Sequence, residues 1–216
     1  EARVQRMLAA TNRDPQELLG TIGPNYGRAT VEKVAINAVM AGCHPSYFPT
    51  VIAAIEALSD EKFNAHAINV TTFSATPLTI INGPVRHEIG VNCGHNALGH
   101  GFRANATIGR TVRLCIRNIG GAKPHFITKA TMGHPAQYTF CVGENEEESP
   151  WAPLHVEYGF KKEESTVTLF FPNLVNWMTP LGVGAKGIMD PLANAVRGNG
   201  LMSIVIPPGG AKLIAK

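Results

Sequence analysis

TVEKVAINAVMAG, residues 30–42, reads as one helix with both ends marked. Thr30 is suited to the N-cap, where a hydroxyl accepts a hydrogen bond from an amide of the first turn. Val34, Ala38 and Ala41 fall on one face at helical spacing, and Gly42 can take the left-handed conformation that closes a helix. Only Cys43 and His44 separate this segment from PSYFPTVIAAIEAL, residues 45–58, which reads as a second helix. A helical hairpin is therefore expected at the front of the chain.

Working outward, SDEKFN (59–64) is a polar connection, while AINVTTF (67–73) and PLTIIN (77–82) read as short buried strands rich in Ile, Val and Thr. Further on, Asn105 is expected to cap a helix that runs to Asn118 and stops at Gly120-Gly121. Ile108, Val112, Cys115, Ile116 and Ile119 form its apolar face, and Arg110, Arg113 and Arg117 form a separate stripe. QYTFCV (137–142) and STVTLFF (165–171) suggest strands, separated by the acidic run ENEEESP (144–150). Asp190-Pro191 is expected to open a short helix ending at Gly198, and LMSIVI (201–206) a last strand. No repeat or dividing linker stands out. The expected fold is α+β: a single mixed domain over 1–216 with an N-terminal helical hairpin and a small central sheet.

The net charge is +3, and no basic run exceeds a dipeptide, so the footprint of a nucleic-acid binder is missing. No apolar stretch approaches the roughly 20 residues of a membrane span. The first residues lack a signal peptide's layout, and Cys43, Cys93, Cys115 and Cys141 form no Cys-x-x-Cys pair. A cytoplasmic protein with reduced thiols is expected. The chain starts at Glu1 without an initiator methionine, which suggests a processed or trimmed polypeptide.

NCGHNALGHGFRANATIGR, residues 92–110, is the first chemically unusual stretch. A helix N-terminus carries unpaired amides and about half a positive charge, so anions settle there. Gly94, Gly99 and Gly101 would let a ligand approach the backbone, and Arg103 could grip a carboxylate in bidentate fashion. The pattern is neither a dinucleotide fingerprint nor a P-loop, which favours a small carboxylate over a nucleotide. Equally, the glycines and asparagines could serve tight turns, with Arg103 solvated or paired to a structural acid. Cys93, His95 and His100 are possible transition-metal ligands, but their spacing fits no metal motif, so the cofactor is unassigned and either none or a metal is compatible. Cys43 faces a helix end on each side with opposing fields, and a buried structural thiol is the better reading.

ENEEESPWAPLHVEYGF, residues 144–160, brings Glu144, Glu146, Glu147 and Glu148 close to Trp151 and His155 in sequence. Carboxylates and an imidazole whose neighbours tune them are what general acid–base work needs. For the glutamates as a group, a solvated acidic turn is the simpler expectation.

NGPVRHEIGVNCGHNALGHGFRANATIGRTVRL (82–114), VEKVAINAVMAGC (31–43) and FCVGENEEESPWAPLHVEYGF (140–160) together resemble the C-terminal domain of the UGSC family. That family is named for a selenocysteine-Gly-Ser-Cys motif, which in many members lies on a separate N-terminal flavodoxin-like domain. The resemblance runs from about Arg3 to about Thr168. It matches Asn82, Gly83, Pro84, Arg86, Gly90 and Asn92, then Arg103, Asn105, Thr107, Gly109 and Arg110, then Glu144 to Glu147, Trp151 and His155. His95 and His100 depart from the family pattern. No Gly-Ser-Cys occurs in this chain.

What the resemblance implies is one half of a two-domain or two-subunit enzyme whose thiol or selenol nucleophile comes from a partner. This half would bind a small carboxylate through Asn82, Arg86, Asn92, Arg103, Asn105, Thr107 and Trp151, and move protons with Glu144, Glu147 and His155. The reaction is open between thiol-dependent oxidoreduction and redox-neutral lyase or hydratase chemistry. Two other expectations stand beside it. One is a self-sufficient lyase, hydratase or hydrolase using His95 and His100, with or without a metal; the other is a non-catalytic partner that stabilises a thiol-bearing redox domain.

Overall fold

The computed structural model describes residues 1–172, 184–196 and 206–215. The segment 30–42 folds as the sequence suggests: α2 (Val31–Ala41) starts where the Thr30 side chain accepts from the Lys33 amide and ends at Gly42 with φ 86°. A 3-10 turn at Pro45–Tyr47 leads into α3 (Phe48–Ser59), capped by His44, whose ring accepts from the Ser46 amide. Ahead of this pair lie α1 (Ala2–Leu8) and an antiparallel hairpin, β1 (Leu18–Ile22) with β2 (Gly27–Thr30).

The second sheet holds the candidate site. β3 (Leu78–Asn82) is its centre, parallel to β4 (Cys141–Gly143) and antiparallel to β5 (Thr166–Phe170). The connection between the parallel strands contains α5 (Val85–Glu88) and the long helix α6 (Arg103–Asn118). α7 (Leu154–Glu157) lies between β4 and β5. The fold is α+β, with one main core in which α2, α3 and α6 bury Val34, Phe48, Ile55, Ile108 and Ile116.

α6 is wedged between backbones. A side chain at Gly109 would meet the Phe140 amide nitrogen at 2.6 Å, and one at Gly27 would collide with the Ile119 carbonyl. The absence of Cβ at both positions lets the helix lie directly on the approach to β4 at its middle and on the hairpin turn at its end.

Three local expectations are corrected. Residues 67–73 are not a strand: Asn64 accepts from the Ala67 amide and caps a short helix, α4 (Ala65–Asn69), so local capping overrides the β-branched composition. Asn105 is not a cap; α6 begins two residues earlier, with Phe102 at the N-cap, and Asn105 is inside the helix. The helix expected to open at Asp190-Pro191 instead starts at Gly184 (α8, Gly184–Val196), with Pro191 inside it. It packs against α9 (Pro208–Ile214), and that contact offsets the ladder bond that a proline removes. The helix end at Gly198 and the strand at 201–206 lie outside the described residues, apart from Ile206. Among the described residues, no helix is long and apolar enough to cross a membrane.

Candidate functional site

β3 and β4 run parallel, so their C-terminal ends emerge together, and β5 enters beside them with Thr166 opposite Asn82. Here Asn82, the last residue of β3, meets the glutamates that follow β4. Its amide nitrogen donates to Glu144 and, at 3.0 Å, to Glu146 Oε1. Glu146 Oε1 also accepts from the Gly83 amide at 2.7 Å, and Glu144 Oε2 accepts from the Leu154 amide at 2.9 Å, tying the start of α7 to the cluster.

Arg86 on α5 is the central cation and is only 2% exposed. Its Nη2 lies 3.0 Å from Glu146 Oε2 and 2.9 Å from Glu147 Oε1, while Nη1 donates to Glu147 Oε2 at 3.2 Å and to the Glu144 carbonyl. Nε donates to the Gly83 carbonyl at 3.0 Å, which fixes the guanidinium plane. Burial pulls Arg86 down, but hydrogen bonding to Glu147 and the charges of Glu146 and Glu147 outweigh it, and the net shift is upward. The Arg86 bond holds the Glu147 carboxyl down at about 2, against a smaller desolvation effect and with help from His87. His87 Nε2 lies 3.0 Å from Glu147 Oε1.

His155, on α7, is buried, with Nδ1 4.0 Å from Glu146 Oε1. Among the described residues neither ring nitrogen has a hydrogen-bond partner, and Asn82 Oδ1, whose amide nitrogen donates to the same Glu146 Oε1, is also without one. Buried polar atoms without partners are rare in folded proteins, and three of those among the described residues belong to these two side chains. The arrangement offers carboxylate oxygens and an imidazole at the mouth of a small parallel strand pair, with Trp151 exposed nearby in sequence.

The sequence reading set Glu146 among the glutamates beside Trp151 and His155 but gave the proton-moving role to Glu144, Glu147 and His155; the Glu146 side chain is only 4% exposed. The expectation of a solvated acidic turn is corrected for Glu144 and Glu146, whose carboxylates are anchored by Asn82 and by backbone amides. The signal that could have found them is the Asn-Gly-x-x-Arg stretch at 82–86, since a buried arginine requires carboxylate partners.

The residues expected to bind an anion divide. Asn105 is a brace: its Oδ1 accepts from the Asn92 amide at 2.8 Å and its Nδ2 donates to the carbonyls of Asn92, Ala97 and Cys141. Asn92 turns its own side chain onto the His95 carbonyl and the Gly94 amide. Thr107 donates to the Arg103 carbonyl at 2.8 Å. Arg103 donates through Nε to the Gly42 carbonyl at 3.0 Å, so it closes the end of α2, and its terminal nitrogens have no partner among the described residues.

Cys93 sits 3.7 Å from Arg86 Nη1, at the edge of the cluster, whereas His95 and His100 are exposed on the loop. Among the described residues no three His, Cys, Asp or Glu side chains are grouped as metal ligands would be, so Cys93, His95 and His100 do not share a common point. Burial pushes the Cys43 thiol up despite its contacts with Thr111 and Thr107, and pushes Cys115 and Cys141 far above the ordinary range. The chain matches no protein-family model, no curated protein and no solved structure.

Proposed function

We propose that the chain is the substrate-binding and acid–base half of a two-part enzyme acting on a small carboxylate-bearing molecule, with a thiol or selenol supplied by a partner domain or subunit. The observation that carries this reading is the convergence of Asn82, Arg86, Glu144, Glu147 and His155, from distant parts of the chain, at one end of a sheet. Glu146 joins them as the group that faces the unpartnered imidazole.

The roles follow from chemistry. Glu144 and His155 hold and move protons, while Arg86 fixes the carboxylates in place. The free end of the Arg103 guanidinium, at the start of α6, takes the substrate carboxylate. Three of the four cysteines are buried with raised pKa values and are poor nucleophiles, which supports a nucleophile in trans. The motif resemblance to the UGSC family supports the same placement.

The test has two parts. Protein purified from its natural host is weighed intact under native conditions, where a retained chain bearing a reactive thiol or selenol is expected. Acetate, lactate and succinate are then titrated calorimetrically against wild type and Arg103→Ala, with at least one expected to bind and to lose about tenfold in affinity on substitution. In the assembled complex, Arg103→Ala and Glu144→Gln should each abolish turnover with the fold intact. A lone chain with no carboxylate affinity would end this reading.

A further inference from the structure

α6 carries no acidic residue, and neither does any position from Ile89 to Gly143. One face of the helix carries Arg110, Arg113 and Arg117, whose spacing of three and four residues sets them on successive turns. Like charges so placed repel, and acids at the same spacing are the usual relief. None of the three has a carboxylate partner among the described residues, and residues 173–183 and 197–205, outside them, contain no Asp or Glu.

Arg113 is half-buried, and its Nη1 donates to Asn69 Oδ1 at 3.1 Å. Asn69 is 2% exposed, and its amide nitrogen donates to the Ala65 carbonyl at 2.7 Å, so α4 fixes the oxygen toward Arg113. A neutral oxygen orients a guanidinium without balancing its charge. Burial pushes Arg113 below the ordinary arginine value, and the charges of Arg110 and Arg117 push it further in the same direction. Asp60 and Glu61 are not among the charges that act on it. Arg86 is the opposite case, a desolvated arginine that its glutamates raise. Arg110 is held separately: its guanidinium lies 5.9 Å from the centre of the Tyr138 ring, and Nη1 donates to the Tyr138 carbonyl at 3.5 Å.

Desolvating a cation is costly unless an anion offsets it, and arginines perturbed in this way gather at binding sites. We propose that Arg110, Arg113 and Arg117, with Asn69 and Tyr138, form a binding site for a phosphate dianion, either free or as the monoester of a small molecule. The dianion follows from the charges present. A single negative charge leaves two of the three cations unbalanced, whereas a phosphate group presents several oxygens that separate guanidinium groups can share. Tyr138 is 69% exposed beside Arg110 and offers the organic part of an ester an aromatic wall. Arg103 lies seven residues before Arg110, about 10 Å along the helix, so this site is distinct from the carboxylate site proposed above and does not rest on it.

The test is titration calorimetry with inorganic phosphate and phenyl phosphate at about pH 8, where both are dianions, in phosphate-free buffer at constant sodium chloride. Wild type should bind at least one of them one to one, with a Kd below about 1 mM. Arg117→Gln should weaken that binding about tenfold and Arg113→Gln at least as much, with thermal melting used to verify both folds. Arg28→Gln removes an exposed arginine elsewhere and should leave the affinity within about twofold. Tighter binding of phenyl phosphate supports the ester as ligand, and tighter binding of phosphate supports the free ion. Wild type that binds neither probe overturns the proposal, as does an equal loss in Arg28→Gln or benzoate bound as tightly as phenyl phosphate. Unchanged affinity in Arg117→Gln overturns it whether or not Arg113→Gln folds. Oligothymidylate bound where phenyl phosphate is not also overturns it, in favour of a single-stranded nucleic acid.

Discussion

Arg86 and Glu146 form an ion pair at 3.0 Å in which the side chains are only 2% and 4% exposed. Desolvating two charges is costly, and the pair persists because its own remaining polar atoms are tied: Arg86 Nε to Gly83, and Glu146 Oε1 to Asn82 and the Gly83 amide. Removing one partner therefore costs more than the pair contributes. Arg86→Met should destabilise the protein by about 3–5 kcal/mol in urea unfolding, the range for a buried charge left alone. The double variant Arg86→Met with Glu146→Leu should recover much of that loss; a single-variant cost near zero would contradict the buried-pair geometry.

Glu147 sets an acid limit. Its folded pKa, about 2, lies below the ordinary carboxylate value of 4.5, so its contribution is present above pH 4.5 and is lost as pH falls toward 2. The side chain is 54% exposed, and solvent screening reduces the effect to about 1 kcal/mol or less. Glu147→Gln should flatten the acid limb of the stability curve over that window and leave the neutral plateau lowered by a similar amount. An unchanged acid limb would show that the Arg86 bond does not persist in solution.

Asn105 holds the loop at 92–102 against α6 and β4 through both ends of its amide. Asn105→Ala leaves buried backbone groups at Asn92 and Cys141 without partners, at a cost of about 2–4 kcal/mol. Hydrogen exchange should rise first between residues 92 and 102. Uniform destabilisation with that loop still protected would count against the brace.

The ends of α2 can be probed singly. Thr30→Ala removes an N-cap bond worth about 1 kcal/mol. Gly42→Ala forces a side chain into φ 86° at about 1–2 kcal/mol, with ordinary space around the new methyl. Melting temperatures of the two variants should fall by comparable amounts, and a neutral Gly42→Ala would refute the left-handed cap.

Alkylation of the native protein by iodoacetamide should reach Cys93 alone. Cys43, Cys115 and Cys141 are buried, with thiols pushed up by desolvation, and should label only on unfolding. Rapid native labelling at any of these three would reverse that ordering.

Local signals carried the helical hairpin, because Thr30 and Gly42 act through bonds that span three or four residues. The same locality misled at 67–73, where Val70, Thr71 and Thr72 suggest a strand but Asn64 has already committed the chain to a helical turn. The β1–β2 hairpin went unseen because its register is irregular between Leu18 and Gly20, and Pro24-Asn25 reads only as a turn. In the site, Glu144, Glu147 and His155 were legible by type and proximity. Glu146 was legible only as one of that group, because its pairing with Arg86, sixty residues earlier, is linked by no local pattern. Asn105 was read for its capping chemistry, yet its amide serves a neighbouring loop.

The two cramped glycine contacts of α6 impose a rule on how the chain can change length over descent. Gly109 must face Phe140 and Ile119 must face Gly27, ten positions apart on one helix. One residue inserted or deleted between them would turn the far contact by about 100° and carry it off the hairpin turn. Insertions can accumulate in the exposed loop at 94–101 or near residues 123–135, but the span from 109 to 119 should hold its count in any lineage that keeps this fold.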